Sequence, residues 1–190
     1  MTIMKNSLKT MTLSMLLSFS AIAYEPSEGQ PAPDFEITQL DGTPFKLSDY
    51  RGKQSVYVVF WNTWCHYCLK KIPKLKGIQE NLADDIKIIA INTSRKDSVT
   101  ESLNFENYFK TNYALAFDHG EKVTDLYNVH GVPTEFIIDI NGIIKHRDGV
   151  PAKLENYLQE WNDLPSAHTQ VFRAYLNIFT AIALKIQQAS

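Results

Sequence analysis

A chain of 190 residues is long enough for one well-packed domain and too short for two ordinary ones. Apolar and charged side chains, at 44% and 21%, sit in the range of soluble globular proteins, which argues against a disordered or fibrous chain. With 19 basic against 21 acidic residues and no basic run, no nucleic-acid partner is indicated.

The amino terminus reads as an export signal. Lys5 and Lys9 precede an apolar stretch from Met11 to Phe19, Ala21-Ile22-Ala23 fits a small-x-small cleavage site, and no acid appears before Glu25. Residues 1–23 are therefore expected to send the chain to the periplasm. Left uncleaved, the same segment would anchor it at the inner membrane, although its apolar core is short of the ~20 residues a span needs. Residues 24–34 carry Pro26, Pro31 and Pro33 and read as an extended lead-in to a domain at 35–164.

Phe35 to Leu47 predicts two short strands joined by a turn at Asp41-Gly42. Ser55 to Trp61 is an unbroken β-branched and aromatic run, as expected of a strand buried on both faces. From Cys65 to Leu82 the period becomes helical, with Ile72, Leu75, Ile78 and Leu82 on one face and Pro73 predicting a kink rather than a start. Ile86 to Ile91 is a second buried strand, and residues 98–111 and 121–128 read as helices. Glu135 to Ile140 and Ile143 to Arg147 predict a hairpin, with Asn141-Gly142 favouring a type I′ turn. Ala152 to Trp161 is a further helix. Buried strands alternating with helices give an α/β layer fold, a central sheet with helices on both faces.

Residues 165–190 read as an extra apolar helix, with Phe172, Tyr175, Phe179 and Ile182 interrupted by Arg173, Asn177 and Lys185. It can dock on the domain, lie at a membrane surface, or make a homodimer contact.

The chain has two cysteines, three positions apart, in Trp61-Asn62-Thr63-Trp64-Cys65-His66-Tyr67-Cys68. A bridge across so short a loop removes little entropy from the unfolded chain, so it is a poor staple even in an oxidising compartment. Cys65 falls where a buried strand passes into a helix, and the unpaired amides of the first turn stabilise a thiolate there. The thiolate is the form that attacks disulfides. Cys68, one turn on, can close the ring and release a mixed disulfide. A charged His66 would lower the Cys65 pKa further. A structural zinc site lacks its four ligands, so no resident metal and no cofactor is expected. A copper-binding chaperone using Cys65, Cys68 and a distant histidine such as His130 is the alternative that thiolate softness allows. The second element is Val129-His130-Gly131-Val132-Pro133-Thr134, just ahead of a strand.

Trp-Cys-x-x-Cys after an apolar strand, a proline five residues past the second cysteine, and Gly-Val-Pro-Thr before a terminal hairpin resemble the thioredoxin superfamily. Within it the chain resembles the exported TlpA/ResA-type branch through Pro-Ala-Pro-Asp-Phe-Glu-Ile, Leu-Ser-Asp-Tyr-Arg-Gly-Lys and Phe-Ile-Ile-Asp-Ile-Asn-Gly-Ile-Ile, over residues 29–162. The resemblance implies a three-layer fold on a mixed sheet, an attacking Cys65, a resolving Cys68 and a cis Pro133. It also implies a substrate face made by Trp64, His66, Tyr67, Val132 and Pro133, with the Val132 backbone offered to an extended peptide. Protein thiols or disulfides would be the substrates, and a further redox protein would recycle the site. Three departures stand out. Val59 occupies the position of the buried Asp of thioredoxins proper, Lys71 that of a Glu common in the exported branch, and Tyr67 that of a frequent proline. His66 and Lys71 favour a thiolate and so an oxidising pair, whereas the family likeness favours reductive service.

Overall fold

The computed structural model describes residues 25–163; the signal segment and the C-terminal helix expected at either end lie outside the described residues. The strands β1 (Glu36–Thr38) and β2 (Pro44–Lys46) pair antiparallel about the Asp41-Gly42 turn, where the Asp41 carboxylate accepts the Thr43 N–H and hydroxyl. A 3-10 turn at Leu47–Tyr50 leads into β3 (Ser55–Trp61), every residue of which is buried. Its alternation splits the interior in two. Val56, Val58 and Phe60 pack with Phe45, Ile89 and Val123 on one side of the sheet, and Tyr57, Val59 and Trp61 with Leu75, Phe105 and Leu158 on the other.

The expected single helix from Cys65 to Leu82 is two helices, α1 (His66–Leu69) and α2 (Ile72–Leu82). Pro73 has no N–H for the Leu69 carbonyl and its ring would crowd that oxygen, so the helix breaks at Lys70-Lys71. Pro73 then lies in the first turn of α2, where no N–H partner is needed. It starts a helix, contrary to the sequence expectation.

Next come β4 (Ile86–Asn92) and α3 (Val99–Phe109), whose N-cap Ser98 accepts the Glu101 N–H at 3.2 Å. A strand follows that the sequence reading passed over, β5 (Ala114–Phe117), and then α4 (Lys122–Leu126). Ala-Leu-Ala-Phe has no β-branched residue; pairing with β4, Ile89 opposite Ala114 through Asn92 opposite Phe117, makes it a strand. The chain closes with β6 (Thr134–Ile138), β7 (Ile144–Arg147) and α5 (Leu154–Asp163).

The β6–β7 turn is not type I′. Of the Asn141-Gly142 pair only Gly142 has positive φ, at 80°. The Gly142 N–H reaches the Asp139 carbonyl and the Asp139 N–H the Ile143 carbonyl, both at 2.9 Å, a three-residue loop ending in a left-handed glycine. The Asp139 carboxylate accepts the N–H groups of Asn141 and Ile143, each at 2.9 Å, and this favours the longer loop.

The five-stranded sheet runs β5-β4-β3-β6-β7, parallel from β5 to β3 and antiparallel across β6 and β7. Helices α1, α2, α3 and α5 cover one face; α4 and the β1–β2 hairpin cover the other. Because β3 and β6 are antiparallel, with Phe60 opposite Thr134, the end of β3 lies beside the start of β6. Whatever follows Trp61 and whatever precedes Thr134 are thereby brought together. No helix among the described residues is long and apolar enough to cross a membrane.

Candidate functional site

Four residues past the end of β3, Cys65 is the N-cap of α1 and is joined to Cys68 by a disulfide. The Cys68 N–H lies 3.1 Å from Cys65 Sγ. As α1 is a single turn, the stabilisation open to a Cys65 thiolate is this local amide more than a long macrodipole. Both cysteines are buried, at 4% and 6% exposure, but their immediate neighbours are not: Trp64 is 56% and Tyr67 69% exposed, and His66 is exposed as well. The Lys70 ammonium sits 5.3 Å over the Tyr67 ring.

Across the β3–β6 junction, the Val132–Pro133 peptide is cis, as the resemblance implies. Pro133 and Cys68 wall the same small cavity, of about 10 Å³. Val132 is half-buried, and His130 and Gly131 are exposed. All of the candidate site residues read from the sequence therefore fall on the two segments that flank this junction.

Four further residues tie the segments down, and the sequence reading had not singled them out. Asp97 accepts the Thr63 N–H at 2.7 Å and its hydroxyl at 2.9 Å, the Asn92 amide at 2.8 Å and the Ser98 N–H at 3.0 Å. Burial pushes its carboxyl up, but the hydrogen bonds from Thr63, Asn92 and Ser98 outweigh it and hold the group below its ordinary range. Arg95 joins the two halves directly. Its carbonyl accepts the Trp64 indole N–H at 2.9 Å, and its guanidinium donates to the Val129 carbonyl at 2.8 Å while pairing with Glu121.

The remaining two are Glu135 and Tyr57. Glu135 is 1% exposed, two residues past Pro133, and its carboxylate accepts the Lys71 ammonium and the Tyr57 hydroxyl, each at 2.6 Å. Burial, and then the Glu135 charge, push the Tyr57 phenol far above its ordinary value, so it stays a donor. Lys71 thus does not float in water; it is one-third exposed and held by a buried carboxylate. Glu135 had a visible signal, a lone charge between Thr134 and Phe136 in an otherwise apolar strand, which must find a partner when buried. Asp97 had none, since Ser94-Arg95-Lys96-Asp97-Ser98 reads as an ordinary solvated loop.

Among the described residues, no three His, Cys, Asp or Glu side chains gather where they could hold a metal ion. The pair of cysteines, the exposed rim beside it and a part-buried ion pair behind Cys68 suit thiol–disulfide exchange.

Known proteins agree with that chemistry. Residues 28–147 match the AhpC/TSA family. The chain is similar to the thiol-disulfide oxidoreductase ResA of Bacillus anthracis, 33% identical over 136 residues that make up 70% of this chain and 77% of that protein. It is also similar to the thioredoxin-like protein YneN of Bacillus subtilis, 34% identical over 62% of this chain and 69% of that one. Among solved structures, one assigned as the thiol:disulfide interchange protein DsbE of Chlorobium tepidum aligns at 30% identity with a TM-score of 0.61, covering 72% of this chain and 96% of that one. The family match, the ResA likeness and the Cys65–Cys68 pair place the chain in the AhpC/TSA family, among its thioredoxin-like thiol–disulfide oxidoreductases.

Proposed function

We propose that the chain acts outside the cytoplasm on protein substrates, with Cys65 attacking and Cys68 resolving, and that it works in the reducing direction. The observation that carries this reading is the Cys65–Cys68 pair at the β3–α1 junction, rimmed by exposed Trp64, His66 and Tyr67 and set beside the Val132-Pro133 segment. In the reduced protein the Cys65 thiolate attacks a substrate disulfide. It forms a mixed disulfide and expels one substrate thiolate; Cys68 then attacks Cys65 Sγ and releases the other. Exposed Trp64 and Tyr67 supply apolar area for an extended segment running past the Val132 backbone. A protein dithiol returns the electrons afterwards.

Support for that direction comes from where the charges sit. Lys71 is engaged by Glu135, and the exposed His66 is solvated, so neither concentrates positive charge on the sulfurs. A thiolate less favoured in this way belongs to a less oxidising pair. The leader at residues 1–23 supports export, and the segment from 165 is where a homodimer contact would form.

The test uses the reduced full chain. Iodoacetamide at about pH 6 should label Cys65 before Cys68, because its thiolate is the more populated. Cys68→Ser should trap mixed disulfides with exported proteins and Cys65→Ser none. Labelling of Cys68 first, or of neither, would overturn the assignment of roles. The reducing direction fails if the pair stays reduced in a buffer of mostly oxidised glutathione.

A further inference from the structure

We propose that Lys71 and Glu135 are the proton-exchange route of Cys68. The inference rests on the functional reading above and deepens it. Both cysteines are buried, and it is Cys68 that shares a cavity of about 10 Å³ with Lys71, too small to admit bulk water. A buried thiol that must become a nucleophile needs a nearby group to take its proton. Lys71 is placed for that role from both sides. It lines that cavity together with Cys68, its ammonium is on Glu135 at 2.6 Å, and a third of its side chain remains in contact with water.

The titratable groups facing the pair are Cys68 from α1, Tyr57 from β3 and Tyr113, which precedes β5. Both tyrosines are driven upward, by burial first, and so remain neutral donors that cannot accept a proton. From β7, Arg147 meets β6 over the Phe136 ring on the other face, and the Asp148 N–H bonds the Glu135 carbonyl. The carboxylate of Glu135 is thus the base available on this face.

With Cys65 in a mixed disulfide, the Lys71 ammonium passes a proton to the Glu135 carboxylate and takes the proton of the Cys68 thiol. The Cys68 thiolate attacks Cys65 Sγ, the Cys65–Cys68 bond forms, the bond to the substrate sulfur breaks, and the substrate leaves as a thiolate that water protonates. Two electrons have passed from the cysteine pair to the substrate. The proton on Glu135 returns to solvent through the exposed side of Lys71.

The experiment follows the two steps separately, using the reduced full chain and an excess of an aromatic disulfide whose thiolate product is coloured. The first burst reports attack by Cys65 and the second reports resolution by Cys68. For Glu135→Gln the first burst should keep its rate, while the second slows by about tenfold or more near neutral pH. That loss should shrink toward about pH 9, where hydroxide deprotonates Cys68 without help. A smaller loss, or one equal at every pH, overturns the inference. Absence of the first burst in the unsubstituted protein overturns the functional reading instead. Should Glu135→Gln fail to fold, Lys71→Gln is read by the same criteria.

Discussion

Removing the Asp97 carboxylate tests whether the loop before Cys65 is held by that one side chain. In Asp97→Ala the Thr63 N–H and hydroxyl, the Asn92 amide and the Ser98 N–H lose an acceptor now at 2.7 to 3.0 Å. Asn62 and Asn92, both fully buried, keep a bond to each other at 2.9 Å, and Asn92 keeps one to Ser102 at 2.9 Å, so neither is orphaned. A hydrogen bond to a charged group contributes about 1.5–3 kcal/mol, but these share one half-exposed carboxylate and do not add, so the loss should be about 2–4 kcal/mol. For a chain of this size that is a fall in Tm of roughly 5–15 °C. Asp97→Asn keeps one acceptor but turns an amino group toward existing donors, and should lose about half as much. The assay is guanidinium unfolding of the oxidised protein at neutral pH and again in acid. The Asp97 carboxyl is held below its ordinary 3.8, so its contribution is full above that value and fades as pH falls through the lowered one; the gap between wild type and Asp97→Ala should close there. A neutral-pH loss under about 0.5 kcal/mol, the scale of an ordinary surface change, would refute the clamp.

Two other outcomes are expected. Arg95→Met should lower stability by at most about 1 kcal/mol, since its pair with Glu121 is half-exposed, yet slow reduction of a protein disulfide more than of glutathione disulfide; equal slowing would show that the link from Trp64 to Val129 does not position the face. Tyr57 and Tyr113 are raised above 10.0 by burial, so folding stability should be undiminished below that value and fall as pH rises above it. Tyr57→Phe should flatten the alkaline limb in urea unfolding, and an unchanged limb would refute the assignment.

The parts of the fold that could be read from the sequence are those where local chemistry and tertiary environment agree. β3 has no polar residue past Ser55, so burial on both faces follows from composition. Ser98 and Glu101 mark a helix start by themselves. β5 lacked such agreement, because its four residues are strands only through β4. Asn141-Gly142 misled for the opposite reason: the dipeptide favours one turn, but the Asp139 carboxylate favours another. At the site, the cysteines could be found because their chemistry is written in residue type and spacing, whereas Pro133 is reached only through the family resemblance. Asp97 and Arg95 act through contacts more than thirty residues away in sequence, to Thr63, Trp64 and Val129, and nothing local announces them.

Antiparallel pairing of β3 with β6 explains why the two segments meet, but not why they stay in place. The ladder ends at Phe60 opposite Thr134, so the cysteine at position 65 and the backbone at 132 both hang beyond the last paired residues. Free loops of that length would hold the sulfurs and the peptide face with little precision, since each unfixed residue retains its conformational entropy. Two ties close the gap from opposite sides. On the solvent side Trp64, Arg95 and Val129 form one chain of hydrogen bonds. On the core side Lys71, just past Cys68, is joined to Glu135, just past Pro133. The core tie is the stronger, because its carboxylate is fully buried and leaving it unpaired would be costly, whereas the Arg95 pair is screened by water. The segment with Cys68 should therefore be the more rigid half of the site, and the exposed rim of Trp64, His66 and Tyr67 the half that adapts to different peptides.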